Sequence, residues 1–315
     1  MTISSNQAHD FWNKGYCISR IDVSDVLRDI KAYASPRSLQ YDFGTDPAVN
    51  FPCMPELRGI NDLGVNEQLI TTVQTLLGSN VKLIQCVGWA KHGLEGDASN
   101  EQSNADQRMH FDGYNNSLLC PPPFETPNVV AAIVYLSDIN DTGGSTAIVP
   151  RQGPDDKWYQ PSHSQVMPGV GGRPFINNRV AAETMMMERG EDRSELYERE
   201  IMNPFKVGDV LFYRHDVWHR GTPVKPGKTR WVVNLGWAKT DAHYVLNWGT
   251  GLARKMYSGW LESWIAGLSP MQLMTIGFPP PNDPVWDTPG MREGVQARYG
   301  SYGFNLDAYL KSDNN

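Results

Sequence analysis

The apolar positions of this chain change their period twice. Near the N-terminus, residues around 6–13 predict a short helix and 16–21 a strand. Val26, Leu27, Ile30 and Ala34 then fall on one face of a helix opened by Asp22 or Ser24. Asn66 is placed as the N-cap of a helix through Leu77, with Leu69, Ile70, Val73 and Leu76 inward and Gly78 ending it. From residue 81 the pattern turns to strands: Val81–Lys91, a strand opening at Arg108, Val129–Leu136, Ser145–Val149, Val210–Tyr213 and Arg230–Trp237. The run VVAAIVYL at 129–136 has no polar alternation, so it predicts a central strand covered on both faces. Helical spacing returns over 252–266, 271–276 and, after the FPPPNDP break, 290–299. Residues 92–106, rich in Gly, Ser and Asn, predict a surface loop. Residues 151–178 read as a long insertion, and 180–200 as a charged, Met-rich helix broken near Gly190.

Helices at both ends with short strands between predict a mainly β fold with flanking helices, built on a sandwich or jelly-roll core. That core occupies about 80–240, after N-terminal helices in 1–79 and before a C-terminal helical extension in 250–315. The 315 residues suggest two domains on length alone, but this pattern reads as one. Hydrophobic residues at 40% and charged residues at 20% exclude a disordered chain. A net charge of −7 argues against nucleic-acid partners. Cys17, Cys53, Cys86 and Cys120 are scattered, which is neither a disulfide framework nor a zinc ribbon and suits a reducing compartment. The longest apolar run is far too short for a membrane span, and the N-terminus has no signal-peptide pattern, so a cytoplasmic protein is expected. Oligomeric state leaves no mark in the sequence.

The chemistry concentrates at two places. In His110-Phe111-Asp112, alternation on a strand puts an imidazole and a carboxylate on one face, as a metal chelate requires. About a hundred residues on, GDVLFYRHDVWHRGTP ends a strand and places His219 before a turn, with Arg230 eleven residues later. A jelly roll brings such distant strands face to face. Two histidines and one carboxylate on one side of a metal make the facial triad of non-haem Fe(II) oxygenases. Arg230, deeper in the barrel, offers a planar fork to a carboxylate.

The order of these stretches, with YLSDINDTGGSTAIVPRQG at 135–153 between them, resembles the phytanoyl-CoA dioxygenase family. The resemblance spans roughly 80–240, and the tail FPPPNDPVWDTPGMREGVQARYG is similar to some of its members. It implies a double-stranded β-helix (jelly-roll) core and an Fe(II)- and 2-oxoglutarate-dependent dioxygenase. Such an enzyme uses O2 to oxidise a small organic substrate and releases succinate and CO2. His110, Asp112 and His219 match the iron ligands, and Arg230 matches the partner of the distal carboxylate of 2-oxoglutarate. Gln107 and Thr146 match co-substrate contacts seen in several members. The presence of Asp112 also sets the chain apart from related halogenating enzymes, which carry a small residue there. Two positions depart from the family: GGSTAIVPRQGP lacks the usual Gly-Ser-His after the proline, and Val232 replaces a small hydroxyl residue.

Other readings stay open on the residues alone. A cupin-like metal-dependent isomerase or hydrolase would need no 2-oxoglutarate, and a non-catalytic jelly-roll binding module would need no metal. His215 forms an HxxxH pair with His219 and is the rival ligand. His9, His92, His163 and His243 read as ordinary surface or partly buried histidines. Arg214, Arg220, Lys225 and Lys228 read as a solvated basic turn leading to Arg230. Trp89, Tyr114 and Trp218 are either pocket walls or core, and Met185-Met186-Met187 either a lid or packing. Segments 92–106 and 151–200 are the expected lid and specificity segments.

Overall fold

The computed structural model describes residues 3–34, 55–93, 104, 106–112, 128–160, 168, 173–242, 260–268, 270, 273 and 278–312. Its centre is two antiparallel sheets. The larger holds five strands in the order β1 (Tyr16–Arg20), β6 (Asp209–Arg214), β3 (Val129–Tyr135), β8 (Thr229–Lys239) and β2 (Val81–His92). The smaller runs β5 (Ile201–Met202), β4 (Thr146–Ile148) and β7 (His219–Gly221). Residues 107–110 continue this sheet beyond β7 through the His110–His219 bridge and the Gln107 N–H bond to the Gly221 carbonyl, while Gln107 also bridges to Asn178. Together the sheets form a double-stranded β-helix, the jelly-roll core that the residue pattern predicts.

β3 explains the unbroken apolar run. All seven of its residues are buried. Val130, Ala132 and Val134 pack outward with Val210, Phe212, Val233 and Leu235 against the N-terminal helices. Ala131, Ile133 and Tyr135 point between the sheets, where they meet Val87, Leu211, Val232, Ile148 and Trp218. The outer layer comprises α1 (Ser5–Lys14), α2 (Ser24–Ala34), α3 (Arg58–Gly64) and α4 (Glu67–Leu77). In α4, Asn66 caps the first turn and Gly78 ends the helix at φ 62°, as its sequence predicts. The strand at 16–20 is more than a connector between helices: β1 pairs along its length with β6, so the core draws on the N-terminal region as well as on 80–240.

The described C-terminal residues cover one end of the larger sheet. Phe278, Trp286, Met291, Val295, Tyr299, Phe304 and Tyr309 cluster there on Ile84, Val129 and Ala238. The helix expected from 290 runs Met291–Tyr299, whereas most of 252–266 and 271–276 lies outside the described residues. Among the described residues, no helix is long and apolar enough to cross a membrane. Cys17 and Cys86 are buried thiols, and that of Cys86 donates to the Ile60 carbonyl at 3.3 Å; Cys53 and Cys120 lie outside the described residues.

Candidate metal centre and its buried arginine

His110 and His219 are placed by one pair of backbone hydrogen bonds. The His110 N–H donates to the His219 carbonyl at 2.9 Å, and the His219 N–H donates back at 2.7 Å. Residues paired this way across an antiparallel ladder present their side chains together, and the two imidazole centroids are 4.6 Å apart. Asp112, two residues further on the same face, brings Oδ2 to 3.6 Å from His219 Nε2. The candidate ligand atoms of His110, Asp112 and His219 all lie within 4.8 Å of one another.

The hydrogen bonds around this cluster orient its rings. His110 Nδ1 lies 3.0 Å from the Arg108 carbonyl, and His219 Nδ1 lies 2.9 Å from that of Val217. A carbonyl only accepts, so each Nδ1 donates to it and each Nε2 is the ring nitrogen left to face the cluster. Burial, and then the neighbouring His219 and Arg108, lower the pKa of His110, which favours the neutral ring. Burial alone would raise the pKa of Asp112, but His219, His110, His215 and a hydrogen bond from Tyr213 bring it below the ordinary value. The Tyr213 hydroxyl donates to Asp112 Oδ2 at 2.7 Å, and burial together with that carboxylate raises its own pKa, so it keeps its proton. Two imidazoles and one carboxylate are the donor set of a divalent transition metal.

Arg230 lies on the inner face of β8, two residues before the inward-facing Val232. It is buried, and its Nη1 donates to the Gly144 carbonyl at 2.8 Å. Its Nε has no partner, and among the described residues no carboxylate pairs with it. The contrast with its neighbours is informative. Arg214 is also buried, but Asp216 holds it at 2.6 and 2.9 Å. Arg220 is gripped by Glu200 and Asp106. Both were expected in a solvated turn; instead, carboxylates too distant in sequence to suggest the pairing, or hidden by the fold, neutralise them in the interior. Arg230 alone of the three keeps a free edge.

Tyr135 and Thr146 stand beside this arginine. The Tyr135 hydroxyl donates to Thr146 Oγ1 at 2.8 Å and accepts from the Thr146 N–H, leaving the threonine proton free to donate. Gly144, of the GGST stretch, has φ 73°, and a Cβ there would come within 2.7 Å of Val224 and 3.2 Å of the Arg230 side chain. Gly144→Ala is therefore expected to destabilise the fold by about 1–3 kcal/mol, read as a lower midpoint in denaturant unfolding.

Lys91 carries no signal in the sequence beyond its strand. It sits directly across the ladder from Arg230, is buried, and donates from Nζ to the Thr222 carbonyl at 2.8 Å. Burial, then the Arg230 charge, push its pKa down to about 7. Alternation with Val87 and Trp89 could have shown its inward direction; the cross-strand partner could not be read without the register. Gln107 directs its carbonyl oxygen to the Gly221 N–H at 2.9 Å, so that end of its amide holds β7. His215 lies outside the three-residue cluster although buried close to it. His9 is exposed, and His92 is half-buried against Thr229; His163, His243 and Tyr114 lie outside the described residues. Trp89 and Trp218 are core residues between the sheets.

The expected lid segments divide. Most of 92–106 lies outside the described residues, yet Asn104 is buried and exchanges hydrogen bonds with the Val224 backbone, contrary to a simple surface loop. Of 151–200, the helices α5 (Arg179–Glu188) and α6 (Ser194–Arg199) flank Gly190 as predicted. Arg193 Nη1 donates to the Met109 carbonyl at 3.2 Å, and the Tyr197 hydroxyl accepts from the Met109 N–H at 2.9 Å. This segment grips the backbone immediately before His110 and works as a brace. Within it, Met186 is packing and Met187 is exposed.

A jelly roll carrying a two-histidine, one-carboxylate cluster is the class that fold and site define. Solved structures agree on the fold. One is the epimerase SnoN in complex with Fe3+, alpha ketoglutarate and nogalamycin RO, 16% identical, covering 78% of this chain and 88% of that one at a TM-score of 0.52. Another is EctD from S. alaskensis in its apoform, 15% identical, covering 78% and 81% at a TM-score of 0.50. No family model and no curated protein matches the sequence.

Proposed function

We propose that this chain is an Fe(II)- and 2-oxoglutarate-dependent oxygenase of the phytanoyl-CoA dioxygenase type, oxidising a small organic substrate with release of succinate and CO2. The observation that carries this reading is the His110–Asp112–His219 cluster together with a buried Arg230 that has no carboxylate partner among the described residues. An uncompensated buried guanidinium is costly, and a dicarboxylic co-substrate would compensate it. His110, Asp112 and His219 would hold Fe(II). Arg230 would take the distal carboxylate of 2-oxoglutarate, with Lys91 and Thr146 contributing on either side. The iron, once bound, supplies O2 activation coupled to decarboxylation of 2-oxoglutarate. The protein's own part is to orient the ligands, fix their protonation and keep the pocket dry. SnoN, which shares the fold, binds both iron and alpha ketoglutarate. A small-molecule substrate, rather than nucleic acid, agrees with the net charge of −7, and a cytoplasmic site would keep the iron reduced.

The test is anaerobic addition of Fe(II) and then 2-oxoglutarate to metal-free protein. A weak visible charge-transfer band is expected only when both are present. Iron-loaded protein that gives no band with 2-oxoglutarate would favour the cupin-like reading.

Lys91 adds a pH dependence. A lysine with its pKa near 7 is cationic below that value and neutral above it. The Kd for 2-oxoglutarate is therefore expected to rise between pH 6 and pH 9, and Lys91→Met should weaken binding at pH 6 and flatten the profile. Calorimetric titration at three pH values checks this; a Lys91→Met profile parallel to the wild type would reject it.

A further inference from the structure

His215 is 2% exposed, yet among the described residues neither of its ring nitrogens has a hydrogen-bond partner. Buried polar groups in folded proteins are nearly always paired, and an exception calls for a physical reason. Its place in the site is set by the strand before it and by its charged neighbours. Leu211 and Tyr213 face between the sheets, and Tyr213 reaches Asp112. Arg214 points the opposite way, to Asp216 and the Trp12 carbonyl under the N-terminal helices. His215 opens the turn that follows this strand. The ring lies close enough to Asp112 and His219 for their charges to act on it. It sits on the metal side of the barrel, whereas Arg230 is grouped with Tyr135 and Thr146.

We propose that His215 is a substrate-binding residue, whose free ring nitrogens hydrogen-bond a neutral polar group of the primary substrate, a hydroxyl or a carboxamide, and hold it beside the Asp112 edge of the triad. The proposal rests on the oxygenase reading for what happens at that edge, but its chemistry stands on the ring alone. Burial pushes the pKa of His215 down to about 4, so at neutral pH the ring offers one N–H donor and one nitrogen acceptor. A hydroxyl or a primary amide can satisfy both roles. A carboxylate meets only the donor, and it would also face the charge of Asp112. The co-substrate is already provided for at Arg230, so the group that fills this second unmet position belongs to another molecule.

The experiment uses the metal-free full-length chain. Histidine ring resonances are followed by NMR, with His215 assigned by its loss in His215→Leu, during titration with benzyl alcohol, benzamide, benzoate and toluene. The alcohol and the amide are expected to shift the His215 signals, and toluene and benzoate to leave them in place. Equal shifts from benzoate, or no shift from either neutral polar probe, would overturn the proposal. Thermal melting adds a readout that a structural role would move the other way. A ring kept for a ligand leaves unmet polarity in the free protein, so metal-free His215→Leu should melt at or above the wild-type temperature. A lower melting temperature would show that the ring serves the fold and would count against the proposal. If His215→Leu does not fold, assignment passes to His215→Gln, and the wild-type titration still decides. Because the charge-transfer band of wild-type protein judges the oxygenase reading separately, the two can fail independently.

Discussion

Asp112→Ala should abolish the visible band given by Fe(II) and 2-oxoglutarate, and weaken Fe(II) binding by more than about 100-fold. Residues that merely support metal ligands typically cost 10–100-fold in affinity, and Asp112 is the only anionic member of the cluster. Losing it leaves two imidazoles with no charge to balance the cation. The Tyr213 hydroxyl, which donates to Asp112 in the intact protein, also loses its acceptor. Asp112→Glu tests geometry separately from charge. It keeps the carboxylate but moves it along a longer side chain, and should retain part of the iron affinity with little of the band. Iron content after desalting and the anaerobic spectrum measure the two effects. Unchanged iron binding in Asp112→Ala would remove the triad from the explanation.

Arg230→Met is expected to raise the Kd for 2-oxoglutarate by about 100-fold, or roughly 3 kcal/mol, within the range for deleting one partner of a buried charge pair. Fe(II) binding should be nearly unaffected, because the guanidinium contacts Gly144 and none of the three ligands. Arg230→Lys should fall between the two, since an ammonium keeps the charge but loses the two-pronged geometry. Titration of the iron-loaded protein with 2-oxoglutarate under anaerobic conditions separates these cases. An Arg230→Met protein with wild-type co-substrate affinity would instead favour a metal enzyme that needs no dicarboxylate. The same variant removes a buried cation without a counter-ion, so its folding stability should not fall in proportion to its loss of binding.

The sequence reveals most readily what depends on short-range pattern. Asn66 and Gly78 bound their helix, and the run at 129–136 announces a strand covered on both faces. The HxD spacing alone places His110 and Asp112 together. His219 needed a further idea, that the jelly roll returns a distant strand to the first, and the resemblance supplied it. What stayed hidden depends on register across the sheets. Lys91 is one of several residues on a long strand until β2 is aligned with β8, which sets it opposite Arg230. Arg214 and Arg220 read as solvent-facing charges because nothing local shows Asp216 turned back onto one, or Glu200 and Asp106 closing on the other. His215 was visible as a rival ligand, but its isolation from every hydrogen-bond partner is a property of the packed interior. The bracing of Met109 by Arg193 and Tyr197 likewise joins segments about ninety residues apart, beyond any periodic signal.

The reciprocal backbone pair between His110 and His219 also bears on the order of assembly. Its partners are about a hundred residues apart, and joining them closes a long loop whose entropy must be met before the contact is rewarded. The larger sheet can form from β3, β6 and β8 without that pair, whereas the ligand cluster cannot. On the proposed function, a metal would therefore be captured only after the smaller sheet has docked. In a zinc finger, by contrast, the ion recruits an unfolded chain. Here, on the same reading, the chamber would be complete before the ion arrives.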